Sequence, residues 1–170
     1  MKHLLCVPVM MSLVLLVGCA GSRMLPIQAF EQKLNTFTVV YFTAESALAE
    51  DVSAELTDLE ARVAARLEKA NLFEKILLAE RQTDSARALL VNAVVTNVKK
   101  VSGTTRFFAG AFAGKASLTA EVTFSDGESG KTIASYFVTG ESGGTGMSGG
   151  TESAVDKTAE AIVKLIKDNL

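Results

Sequence analysis

The sequence predicts an α+β fold, an antiparallel-rich sheet of about five strands with two helices packed on one face, in the order β-α-β-β-β-β-α. Two segments, at 50–70 and 153–169, carry apolar side chains at every third or fourth position, which predicts amphipathic helices. Several runs rich in β-branched and aromatic residues predict strands, and the turn at 126–131 predicts that the last two form a hairpin.

The first strand and helix follow from residue type and spacing. Residues 36–43 are mostly Thr, Val, Phe and Tyr, which favour a strand. The helix predicted over 50–70 is expected to end at Asn71, a residue that tolerates the left-handed conformation. Its apolar face is expected to consist of Val52, Leu56, Leu59, Val63 and Leu67.

The rest of the chain supplies most of the sheet. A short strand is predicted at 72–78, and 88–101 predicts a central strand because both of its faces are apolar in its first half. Alternation over 117–124 predicts a strand with one buried face, and 132–139 is its hairpin partner. Ser153 is the expected N-cap of the last helix. The buried face of that helix is predicted to contain Val155, Ala159, Ile162, Ile166 and Leu170.

The first 18 residues have the features of a lipoprotein signal peptide. A basic start at Lys2 precedes an apolar run at 4–17, which is too short for a permanent membrane span. The run ends in Leu16-Val17-Gly18-Cys19, which resembles the bacterial lipobox, in which the cysteine is acylated and becomes the mature N-terminus. We therefore expect a signal peptide at 1–18, a lipidated N-terminus and tether at 19–34, and a single domain at 35–170.

The expected location is the outer membrane, with the domain lipid-anchored through Cys19 and facing the periplasm. An aspartate directly after the cysteine resembles an inner-membrane retention signal. The residues at this place, Ala20-Gly21-Ser22, include no aspartate, which favours the outer membrane. Two or three acyl chains hold a protein on a bilayer effectively permanently.

The lipobox, the helix end at 66–73, the long strand and the turn at 126–131 together resemble a family of small uncharacterised bacterial lipoproteins that carry a domain of unknown function. More remotely, the layout is similar to the periplasmic α+β domains of the curli-secretion lipoprotein and of the Tol-system propeller protein. The resemblance implies a fold and a location, and it transfers no active site.

Composition argues against most catalytic chemistry. His3 and Cys6 lie in the leader, so the mature chain has no histidine and only Cys19, the expected lipid attachment point. We expect no enzyme activity, no cofactor and no metal, and we interpret Asp126 and Glu128 as turn residues. Without Lys2 the 17 basic side chains become 16, against 19 acidic ones, which disfavours nucleic acid as a partner.

Two further motifs have competing interpretations. Residues 144–149 fit the pattern G-x-G-x-x-G, but no strand follows the last predicted helix, so we interpret them as a glycine-rich loop. The bend at 106–114 contains Phe107, Phe108 and Phe112 among small residues. It is either an apolar tip that contacts a partner protein or the lipid surface, or a cover over one edge of the core.

The expected function is that of a lipid-anchored cell-envelope subunit that acts by protein interaction or assembly, with an envelope protein as partner. The alternative is a periplasmic binding module that holds a small apolar or lipid-like ligand between helices and sheet.

Overall fold

The computed structural model describes residues 21–78, 87–101, 114–143 and 150–170. These form one six-stranded sheet and two helices in the order β-β-α-β-β-β-β-α, which confirms the predicted α+β class and adds one strand at the N-terminal end. The elements are β1 (Gly21–Gln28), β2 (Val39–Ser46), α1 (Ser53–Ala70), β3 (Lys75–Leu77), β4 (Ala88–Lys99), β5 (Ser117–Asp126), β6 (Thr132–Glu141) and α2 (Thr151–Asp168).

The sheet is mixed, with antiparallel pairs in the majority. Its strand order is β1-β6-β5-β4-β2-β3. The pairs β1–β6, β6–β5 and β5–β4 are antiparallel, whereas β2 is parallel to both β4 and β3. Helix α1 makes the crossover that parallel pairing of β2 and β3 requires. The strand predicted to be central, β4, lies between β5 and β2 as expected.

Both helices pack on one face of the sheet and against each other. The alternation predicted for β5 is observed, because Leu118, Ala120, Val122 and Phe124 are all fully buried beneath the helices. The predicted apolar faces of the helices are also observed. Fully buried side chains between the two layers include Phe42, Leu59, Val63, Leu67, Ala159, Ile162 and Ile166.

The segment expected to be a tether begins with a strand. Residues 21–28 pair with β6, starting at Gly21 opposite Glu141. Further along, Leu34 is fully buried, and its backbone N–H donates to the carbonyl of Asn169 over 2.7 Å. Pro26 argues against a strand in the sequence. An edge strand nevertheless tolerates proline, because only one side of its backbone pairs with a neighbouring strand. The folded part of the described chain therefore begins at Gly21, not near residue 35.

The helix ends agree with the sequence analysis at one position and differ at another. Asn71 follows α1 in the left-handed conformation, with φ 50° and ψ 46°, as predicted. The N-cap of α2 is Gly150 instead of Ser153, three residues earlier than expected. No side-chain hydrogen bond caps this end of α2, and a Cβ at position 150 would lie 3.4 Å from the carbonyl oxygen of Val101, an ordinary contact distance.

Candidate functional site

The residues predicted to carry function lie outside the described part of the chain. This applies to the lipidation site Cys19, to Phe107, Phe108 and Phe112, and to the glycine-rich motif at 144–149. The structure does fix where the chain enters and leaves these segments, at Gly21, Val101, Gly114, Gly143 and Gly150.

These entry and exit points gather at one end of the domain, which we call the anchor end. Gly21, Glu141, Ser117 and Lys99 form a continuous row of paired residues across β1, β6, β5 and β4. Both helices begin at this end. The start of α1 is marked by the ion pair between Lys100 and Glu55, and the start of α2 lies beside Val101.

Three cations cluster on the strand side of the anchor end. Arg23 and Lys115 both pair with Glu141, each over 3.5 Å, and Lys99 is exposed in the same row. The helix side of this end is acidic instead, with Glu50 and Asp51 exposed before α1 and Glu152 in the first turn of α2. The anchor end thus has a basic and an acidic half.

An apolar patch lies at the free edge of the sheet, on β1 and β6. Leu25 of β1 is paired with Phe137 of β6, so their side chains are neighbours on one face. Phe137 belongs to the face opposite the helices, because its neighbour Tyr136 packs against the core ring of Phe124. Leu25 is 63% exposed, Phe137 is 40% exposed, and Ile27, at an irregularity in the pairing, is 52% exposed. We call these three residues the edge patch.

A network of ion pairs joins the two helices on their outer side. Arg62 of α1 donates to Asp58 over 2.8 Å, to Asp156 over 2.7 Å and to Glu152 over 3.0 Å. Arg66 donates to the same oxygen of Asp156 over 2.7 Å. Every guanidinium nitrogen of Arg62 therefore has a carboxylate partner, and Asp156 accepts from both arginines.

The protonation of this network fits a structural role. Burial raises the pKa of Asp156, but hydrogen bonds from Arg66 and Arg62 outweigh it and hold that pKa below its usual value. The hydrogen bond to Asp58 raises the pKa of Arg62, against the effect of burial, and Asp156 adds to it. A carboxylate kept ionised by two arginines is a poor proton donor and a weak base near neutral pH.

The side chain of Asp126 forms hydrogen bonds within the turn at 126–131. One carboxylate oxygen of Asp126 accepts from the backbone N–H groups of Glu128 and Ser129 and from the Ser129 hydroxyl, over 2.7 to 3.0 Å. This is the side-chain-to-backbone pattern that nucleates tight turns. No group of three or more metal-ligating side chains occurs among the described residues.

The helices also form an external groove of about 560 Å³ near their C-terminal ends. Its lining is mostly charged, with Arg66, Lys69, Glu160, Lys164, Lys167 and Asp168 among its residues. Cations in the last turn of a helix complement its dipole, so they have a structural explanation here. In residues 21–78, 87–101, 114–143 and 150–170, neither helix is long and apolar enough to cross a membrane.

The sequence analysis missed both the edge patch and the interhelical network. Arg62 and Arg66 have helical spacing, but their partner Asp156 lies 90 or more residues away and gives no local signal. Leu25 and Ile27 were visible as apolar residues, but without a predicted strand at 21–28 nothing placed them beside Phe137.

Two solved structures with TM-scores above 0.5 support the fold. The PelC dodecamer from Paraburkholderia phytofirmans aligns with 12% identity and a TM-score of 0.57, over 86% of this chain and 96% of that chain. A point variant of the same protein gives 11% identity and a TM-score of 0.52 over the same shares. The hypothetical protein CT253 from Chlamydia trachomatis has 12% identity and a TM-score of 0.46, over 77% of this chain and 96% of that chain.

Similarity at this level of identity concerns the fold alone. No curated protein matches the chain. The family described as a domain of unknown function, DUF4410, matches residues 28–146, well over half of the chain, and the protein therefore belongs to this family.

Proposed function

We propose that the protein is a lipid-anchored subunit of the bacterial cell envelope that works by protein–protein association, and that copies of the chain associate through the edge patch. The anchor is Cys19 at the end of the lipobox, and the proposed membrane is the outer membrane. The proposal involves no catalytic step.

The observation that carries this proposal is the exposure of the register partners Leu25 and Phe137, and of Ile27 two residues further along β1, at an edge of the sheet that the described residues form. Large apolar side chains that cluster on a surface mark interaction sites more often than isolated ones do. An edge strand also presents backbone groups that can pair with another chain. The edge patch therefore combines apolar area with unpaired backbone.

A second copy is the partner we favour for this surface. PelC, which shares the fold, was solved as a dodecamer, so this architecture supports assemblies of identical chains. Closed assemblies of identical subunits are the commonest form of soluble oligomer. Self-association also agrees with the role of an assembly subunit expected from the sequence.

The test is the mass of the detergent-solubilised mature protein, measured by light scattering or native mass spectrometry. We expect a discrete oligomer, and we expect Leu25→Ser combined with Phe137→Ser to shift it towards the monomer without changing its circular dichroism. The matched control is Leu78→Ser, which removes an exposed leucine, 46% exposed, near the other sheet edge. A monomeric wild type, or equal effects of the two changes, would overturn the proposal for the edge patch.

The anchor is tested separately. Mass spectrometry of the N-terminal peptide is expected to show acyl groups on Cys19, and Cys19→Ser is expected to release the protein from the membrane fraction. A wild-type chain that carries no acyl group would contradict the proposed lipid anchoring to the outer membrane.

The alternative of a small-ligand binding module gains no support from the packing. The space between helices and sheet is filled by fully buried side chains such as Phe42, Leu67 and Ile162. The grooves at 66–70 with 160–168, and at 54–58 with 151–155, lie on the outer side of the helices.

A further inference from the structure

We infer that the domain rests with its anchor end directly against the bilayer, and that the basic strand side of this end, with Arg23, Lys99 and Lys115, lies nearest to the lipid headgroups. This inference rests on the proposed acylation of Cys19, and it adds an orientation and a second membrane contact to it.

The distance from the anchor to the folded domain is the first argument. Strand β1 begins at Gly21, only two residues after Cys19. Two residues span at most about 7 Å even when fully extended. A flexible tether over 19–34 would instead have placed the domain roughly 20 Å from the membrane. With β1 paired to β6 from Gly21 onward, the anchor end has no room to move away from the surface.

The direction of the strands is the second argument. Gly21 lies in the row with Glu141, Ser117 and Lys99, so the ends of four strands face the same way as the anchor. The turn around Glu128 is at the other end of β5, a strand of ten residues and therefore about 30 Å long. Of the two ends of the sheet, this one lies within two residues of Cys19.

Charge then distinguishes the two halves of the anchor end. On the strand side, Arg23 and Lys115 share a single carboxylate, Glu141, and Lys99 is exposed in the same row. Glu50, Asp51 and Glu152 lie on the helix side. Basic side chains are attracted to an anionic lipid surface, whereas acidic side chains are repelled by it. We therefore expect the strand side to lie deeper than the starts of the helices.

Site-specific fluorescence tests this orientation in the full chain, expressed with its own leader and reconstituted in vesicles of phosphatidylethanolamine and phosphatidylglycerol. Because Cys19 is the only cysteine after the leader and is expected to be acylated, a single introduced cysteine can be labelled. The three labelled variants are Ser117→Cys on the strand side, Ala54→Cys at the start of α1, and Glu128→Cys at the far end. The quencher is a nitroxide attached to the lipid headgroup.

The expected order of quenching is strongest at position 117, weaker at 54 and absent at 128. Insertion of a twelve-residue Gly/Ser linker between Ala20 and Gly21 is expected to weaken the quenching at 117, because the basic side chains alone then hold this end near the headgroups. Equal quenching at 117 and 128, quenching greatest at 128, or no effect of the linker would overturn the inference. The mass of the N-terminal peptide separates the two claims, because a non-acylated chain overturns the proposed function too, whereas an acylated chain with the wrong order overturns the orientation alone.

Discussion

Arg62 on α1 donates a hydrogen bond to Asp156 on α2 over 2.7 Å, although 94 residues separate them in sequence. Arg66 donates to the same carboxylate oxygen, so Asp156 of α2 binds two arginines of α1 on the outer side of the helices. The apolar contacts beneath hold the layers together, and this charged contact fixes how the helices lie beside each other.

Replacement of Asp156 by asparagine is expected to lower the free energy of unfolding by about 1–2 kcal/mol. The change leaves two half-buried guanidinium groups without their shared carboxylate, a loss between those of exposed and buried ion pairs. Urea denaturation measures the change. The control is Glu152→Gln, which removes a partner of Arg62 that is 81% exposed and is expected to cost under about 0.5 kcal/mol. Equal effects would show that the network contributes no more than a surface pair.

The contribution of Asp156 is expected to depend on pH in the acid range only. Hydrogen bonds from Arg66 and Arg62 outweigh burial and place the folded-state pKa of Asp156 below its ordinary value of 3.8. The stabilisation is then fully present above that value and is lost as the pH falls through the lower folded-state pKa. Denaturation of the wild type and Asp156→Asn should give a constant difference from pH 8 to 5 and a shrinking one below about pH 4. A difference that grows on acidification would contradict the assignment.

Gly140→Ala is expected to destabilise the protein by about 3 kcal/mol. A Cβ at this position would lie 2.2 Å from the carbonyl oxygen of Ala154 and 2.5 Å from the backbone nitrogen of Thr158, so α2 would have to move off β6. Thermal unfolding should show a loss of roughly 2–4 °C per kcal/mol. Gly21→Ala serves as control because nothing lies within 4 Å of its Cβ position, and it should leave the melting temperature unchanged.

Combined replacement of Phe107, Phe108 and Phe112 by serine is expected to leave the melting temperature unchanged and to weaken contact with the membrane or with a partner. The expectation follows the interpretation of 106–114 as an apolar tip that contacts a partner protein or the lipid surface. Differential scanning calorimetry and vesicle co-sedimentation of a non-acylated Cys19→Ser background measure the two effects. Unfolding of the triple variant would instead mean that the rings cover an edge of the core.

Local pattern was sufficient for most elements of the fold. The three-to-four spacing from Val52 to Leu67 predicted α1, because a helix can bury only side chains that recur on one face. The alternation from Leu118 to Phe124 predicted β5 for the equivalent reason in a strand. These predictions succeeded because the buried positions of each element are encoded within that element.

The elements and contacts that local pattern did not predict depend on partners distant in sequence. Strand β1 lacks alternation and contains Pro26, and it is a strand because β6 offers it an edge to pair with. The parallel pairing of β2 with β4 also left no local sign, since either direction buries the same side chains. The N-cap of α2 lies at Gly150 instead of Ser153, and no side-chain hydrogen bond caps it, so no capping residue marks this helix start in the sequence.

The sequence by itself determined the α+β class, the central position of β4, the left-handed stop at Asn71 and the expectation of an acylated Cys19, because each depends on residues that are neighbours along the chain. Only the tertiary structure decided that Leu25 lies beside Phe137, that Asp156 accepts from both Arg62 and Arg66, and that β1 begins two residues after Cys19. The physical reason is that these relationships are set by strand register and helix packing, which bring together residues that no local spacing connects.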